Sequence, residues 1–147
     1  HTTMKKLTIL LLGLFALTVT SCGPSYNEKV CDDLIEKYDD KGKLSSDDLA
    51  EAIRQCDAIL DEYESQLDKV ERLVKNKDEE AIDLWDELED GTMTEQLSKL
   101  GSILEQSDLK GDNKKALKAL EKKAKNISKK EDKIETKVRR LKRRLDD

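Results

Sequence analysis

The sequence predicts an all-α chain: a long antiparallel helical hairpin or coiled coil, preceded by a short helix and carrying another short helix in its connection. Three observations carry that prediction. Ala, Glu, Lys, Leu and Arg make up 73 of the 147 residues, a share typical of long helices and coiled coils. With only one Pro and six Gly, that share also argues against a β-sandwich, a doubly wound sheet or a collagen-like fibre. With 3% aromatic and 41% charged residues the competing reading is disorder; two apolar series that step by three and four decide for helices.

Residues 1–21 read as a leader. Met4-Lys5-Lys6 is a short positive start, and Leu7 to Leu17 is apolar except for Thr8 and Gly13. Such a stretch suits a secretory signal and is too short to span a bilayer as a helix. His1 to Thr3 precede Met4 and read as a tag or an overlong gene prediction. The stretch ends Val19-Thr20-Ser21-Cys22-Gly23, an aliphatic residue and two small residues before a cysteine. Over residues 4–23 the chain thereby resembles the bacterial lipoproteins. That resemblance implies cleavage before Cys22, lipidation of Cys22 and attachment to a membrane through the acyl chains. It also implies the cell envelope as the compartment. Gly23 favours the outer membrane, and the lack of acidic residues directly behind Cys22 favours the side facing the periplasm. Residues 22–27 are then a lipidated tether.

The next element is a helix over about 28–40, stopped at Gly42; Ser45 or Ser46 caps the following one, with Asp47 and Asp48 in its first turn. Folded antiparallel, the two helices set Cys31 against Cys56, Leu34 against Ile53 and Tyr38 against Leu49. In the exported compartment that the lipoprotein resemblance implies, disulfides persist, so Cys31 and Cys56 are expected to link the short helix to the long one. The bridge would stabilise the fold by roughly 3–4 kcal/mol in the chain-entropy model. The alternative is two free thiols serving as small core residues. Asp39 to Asp48 imitates half of a calcium loop. Aligning Gly42 with the loop's obligatory glycine, however, places Lys37 and Lys41 at ligand positions, so no metal is expected.

From Leu49 the apolar series runs Ile53, Cys56, Leu60, Tyr63, Leu67, Val70, Val74, Ala81, Leu84 and Leu88, with Lys77 as its one polar position. This predicts a helix over 46–89, roughly 65 Å long at 1.5 Å per residue, weakest at Asn76-Lys77-Asp78. A short helix follows over 94–106, with Met93, Leu97, Leu100 and Leu104 on one face; Trp85 is expected to anchor it rather than to bind a ligand. The last helix, 113–145, carries Leu117, Leu120, Ala124, Ile127, Ile134, Val138, Leu141 and Leu145, with Glu131 as its charged exception.

Laid antiparallel, the two long seams meet in layers from 88 on 120 to 63 on 145, and Lys77 then shares a layer with Glu131 as a pair that fixes the register. Residues 22–90 carry a net charge of −14 and residues 91–147 one of +7, so an intramolecular hairpin is preferred over a parallel dimer.

Catalysis has little to rest on. The mature chain holds no His, no isolated nucleophilic Cys and no phosphate-cradling glycine loop, so neither an enzyme nor a cofactor is expected. The basic face Arg139, Arg140, Lys142, Arg143 and Arg144 invites a nucleic-acid reading. A mature net charge of −7, the lack of nearby aromatic residues and the exported address speak against it. Two expectations remain: a structural or protein-interaction lipoprotein with an envelope protein as partner, or a module binding an anionic envelope ligand such as peptidoglycan, lipopolysaccharide or lipid head groups. In address and helical character the first resembles the small coiled-coil lipoproteins that join outer membrane to cell wall. Those end in a lysine, whereas this chain ends Leu145-Asp146-Asp147.

Overall fold

The computed structural model describes residues 25–146; the leader and Cys22 lie outside the described residues. Five helices occupy the described residues: α1 Glu28–Lys41, α2 Ser46–Lys75, α3 Glu80–Asp90, α4 Thr92–Gln106 and α5 Gly111–Asp146. There is no strand among the described residues.

Local chemistry sets the boundaries. The Asn27 side chain caps α1 by accepting from the Val30 N–H at 3.1 Å, and Gly42, at φ 72°, closes it by donating to the Tyr38 carbonyl at 2.7 Å. Ser45 caps α2 by accepting from the Asp48 N–H at 3.1 Å. The long helix expected over 46–89 does not form as one piece. Lys77 adopts φ 55°, its N–H bonds the Val74 carbonyl, and the Asp78 N–H bonds the Leu73 carbonyl, which is a Schellman stop built on a lysine. The Asp78 carboxylate then accepts from the Glu80 N–H at 3.0 Å and starts α3. At Gly91 the chain needs a missing side chain: a Cβ there would sit 2.7 Å from the Glu87 carbonyl oxygen.

α2 is the hub and packs against all four other helices. α1 runs antiparallel to it, with Lys37 near Asp48 and Asn27 on Gln55. The chain reverses at residues 76–79, and α3 with α4 forms one returning limb, bent at Gly91. α4 lies parallel to α1, as the bonds from Tyr26 to Gln96 and from Tyr38 to Gln106 show. α5 then descends parallel to α2, pairing Asn113 with Ser46, Lys123 with Asp57, Lys130 with Glu64 and Lys137 with Glu71.

This overturns the expected direction of the last helix. The limb over 80–106 brings the chain back to the start of α2, so α5 begins beside Ser46 rather than beside residue 90. The expected pair Lys77 and Glu131 is separated for the same reason: Lys77 sits exposed in the turn, and Glu131 accepts from the Tyr63 hydroxyl instead.

The apolar series themselves fill the core. Leu67, Val70 and Ile134 are fully buried, as are Leu100 and Leu104 of α4, each removing enough apolar surface from water to contribute about 1.5–3 kcal/mol. Leu145, expected at the end of the seam, is 48% exposed, because α2 has already ended at Lys75 and offers it nothing to pack on.

Candidate functional site

Three features carry polar chemistry. The first is a clamp on the N-terminal segment. Gln55 of α2 and Gln96 of α4 are the only buried polar residues among those described, at 4% and 3% exposure. The Gln55 carbonyl oxygen accepts from the Asn27 N–H at 2.8 Å and from the Cys31 thiol at 3.5 Å; its amide donates to the Ser25 carbonyl and to Glu51. Gln96 accepts from the Tyr26 hydroxyl and donates to the Glu28 carbonyl at 3.0 Å and the Asp32 carboxylate at 2.8 Å. Every polar atom of these two amides that is buried thus has a partner, as burial requires. Burial, followed by Glu28, Cys31 and Asp32, pushes the Tyr26 phenol up to about 12. Neither glutamine is marked by the heptad pattern. Both lie on faces buried only once α1 has docked.

The second feature is the cysteine layer behind that clamp. Cys31 and Cys56 are both 0% exposed and stand as free thiols, so the expected bridge is absent from this structure. Burial pushes Cys31 up to about 11 and Cys56 up to about 12. Asp32 and Glu51 add to the first shift and neighbouring Cys31 to the second. Both thiols therefore stay protonated and poorly nucleophilic near neutral pH.

The third is the charge pattern of α5. Lys123 reaches Asp57 and Asp61, Lys130 reaches Glu64 and Asp68, and Lys137 reaches Glu71, forming a ladder at heptad spacing. At Lys123 burial opposes the charge, but Asp57 and Asp61 outweigh it and hold the ammonium above the ordinary lysine range. Asp68, with Glu64 and Glu71 behind it, raises Lys130 likewise. Lys137 in turn holds Glu71 below the ordinary carboxylate range.

The expected basic face at the end of α5 divides in two. Arg139 pairs with Glu135 and, with Lys142, lines a cleft of about 190 Å³ between α5 and α3. Asp86 and Glu89 of α3 share that cleft, so its cations face acids. Burial, then Glu135, Asp90 and Asp86, raises Glu89 against the pull of Arg139. Trp85, 5% exposed, lines the same cleft with Val138, and both belong to the hydrophobic core. Arg140, Arg143 and Arg144 are exposed and have no ion pair among the described residues. No group of three or more His, Cys, Asp or Glu residues is arranged to hold a metal among the described residues. No protein-family model, curated protein or solved structure matches the chain.

Proposed function

We propose that the protein is a membrane-anchored envelope lipoprotein whose helical bundle serves as a non-catalytic structural or protein-interaction module. The observation that carries this reading is Val19-Thr20-Ser21-Cys22 behind a positive start and an apolar run. In this reading acyl chains on Cys22 hold the protein to the outer membrane, facing the periplasm, and an envelope protein is its partner. No helix among the described residues is long and apolar enough to cross a membrane. The clamp supports the reading further. Gln55 fixes Ser25, three residues after Cys22, and three extended residues span about 10 Å, so the bundle would ride close to the bilayer. The thiols of Cys31 and Cys56, buried in one layer, are proposed to join as a disulfide after export.

The test is fractionation of cells making the native chain and Cys22→Ala in the presence of labelled palmitate. The native chain is expected to carry label and sediment with membranes, and Cys22→Ala to lose both. A Cys22→Ala form that keeps the label and the membrane overturns the reading.

A second reading, a module for an anionic envelope ligand, is favoured by the exposed Arg140, Arg143 and Arg144, which have no ion pair among the described residues. The ladder, which satisfies acids of α2 within one chain, supports a monomer in either reading.

A further inference from the structure

The basic end of α5 is the tip of a longer feature. Leu120, Ile127, Ile134 and Leu141 point into the bundle. At 100° per residue the opposite side of the helix carries Lys115, Lys118, Lys122, Lys125, Lys129 and Lys133, all exposed. Arg140 and Arg143 continue the line past Thr136, and Asp132 is the one acid at its edge. From Lys115 to Arg143 the row runs about 42 Å. None of these cations has an ion-pair partner among the described residues, whereas Lys123, Lys130 and Lys137 on the flank are all engaged by α2. Gln55, which holds the N-terminal segment, and Asp57, which holds Lys123, leave α2 about 200° apart. The row and the chain's exit therefore lie on opposite sides of the hub helix.

We propose that this row is a binding rail for a linear polyanion, a polymer bearing carboxylates or phosphates at repeated intervals. The inference deepens the second reading above and rests on it, extending the contact from the terminal arginines to the whole exposed back of α5. A row one helix wide, with cations every 4.5–6 Å along the axis apart from one step of about 10.5 Å across Thr136, matches a thread rather than a compact ligand. The row carries no aromatic side chain for base stacking and no apolar side chain to enter a bilayer, which disfavours nucleic acid and membrane. Binding would draw on release of counterions from the polymer and weaken with salt. If Cys22 is lipidated, the rail faces away from the anchoring membrane.

The test uses the full chain carrying Cys22→Ala in non-ionic detergent, with fluorescent polyglutamate of about 5 or about 20 residues and inorganic polyphosphate as probes, read by anisotropy. The 20-residue polymer is expected to bind at least tenfold more tightly than the 5-residue one. Lys118→Gln/Lys122→Gln/Lys125→Gln/Lys129→Gln should weaken it at least tenfold and flatten the salt dependence, with unchanged helical circular dichroism. The two polymers distinguish carboxylate from phosphate as the favoured charge. If Arg140→Gln/Arg143→Gln/Arg144→Gln abolishes binding while the quadruple lysine variant binds as before, the rail is wrong although the second reading survives. No affinity of the unsubstituted chain for either polymer defeats both. Tighter binding to phosphatidylglycerol vesicles or to single-stranded DNA than to either polymer also overturns the proposal.

Discussion

Reversing one rung of the ladder tests the direction of α5. Lys130 Nζ lies 3.7 Å from a Glu64 carboxylate oxygen and against Asp68, with Lys130 33% exposed and its partners 45% and 50% exposed. Ion pairs so open to water contribute about 0.2–1 kcal/mol each, so Lys130→Glu turns two small attractions into two repulsions of similar size, about 1–4 kcal/mol together. A chain of this size loses about 2 kcal/mol of stability per molar urea, which puts the fall in midpoint at about 0.5–2 M. Urea titration followed by circular dichroism at low salt reads it directly, and the effect should shrink in molar salt. The partner substitutions decide the geometry. Glu64→Lys with Asp68→Lys should restore most of the loss in the Lys130→Glu background. An antiparallel α5 would instead set position 130 opposite Asp78. Rescue by Asp78→Lys, without rescue by the Glu64 and Asp68 pair, would refute the parallel arrangement.

Other outcomes follow from single sites. Lys77 holds a left-handed backbone at φ 55° that costs an L-residue about 1–2 kcal/mol; glycine relieves that cost but gains freedom when unfolded. Lys77→Gly should therefore stabilise the chain by up to about 1 kcal/mol in thermal melts, and a clear loss would contradict the strained turn. Burial, then Asp132 and Glu135, raises the Glu131 pKa, so the folded chain holds that proton more tightly than the unfolded one. Its contribution is present below the ordinary glutamate range and is lost as pH rises through the raised folded value. Glu131→Gln should then gain stability over the unsubstituted chain as pH rises through that window, and a pH-independent difference would count against the shift. With reductant present, Cys31 and Cys56 at about 11 and about 12 should be alkylated at pH 8 more than two orders of magnitude more slowly than a free cysteine. Without reductant, denatured protein should show no free thiol if the proposed bridge forms, and two thiols would exclude it.

The positions of the core were legible in the sequence and the direction of the last helix was not. A series that steps by three and four reads the same in both directions, so Leu120, Ile127, Ile134 and Leu141 were placed inward without fixing which way α5 runs. The flanking charges are no more decisive: acids at 57, 64 and 71 and bases at 123, 130 and 137 are evenly spaced by seven and pair as well in either direction, so the direction is set by the limb that starts α5 beside Ser46. Asn76-Lys77-Asp78 was legible as the weak point of the long helix but not as a full stop, because a lysine seldom takes the conformation that glycine usually supplies and the apolar steps continue across it. Gln55 and Gln96 were unreadable for a different reason. Each is polar on a helix whose first apolar face is already accounted for, and each is buried only because α1 and α4 close a second face of α2.

Parallel pairing of α2 with α5 also dictates an order of assembly. Contacts such as Lys123 with Asp57 join residues 66 apart in the chain, whereas the turn before α3 spans residues 76–79. By the logarithmic scaling of loop entropy, closing the longer loop costs about 2.5 kcal/mol more than closing the turn. The returning limb removes that difference, because α3 and α4 folded on α2 deliver residue 111 to within reach of Ser46. Folding should therefore run from the α2–α3 turn upward. α5 should be the last helix to dock in refolding and the first to exchange its amide protons under mild denaturant.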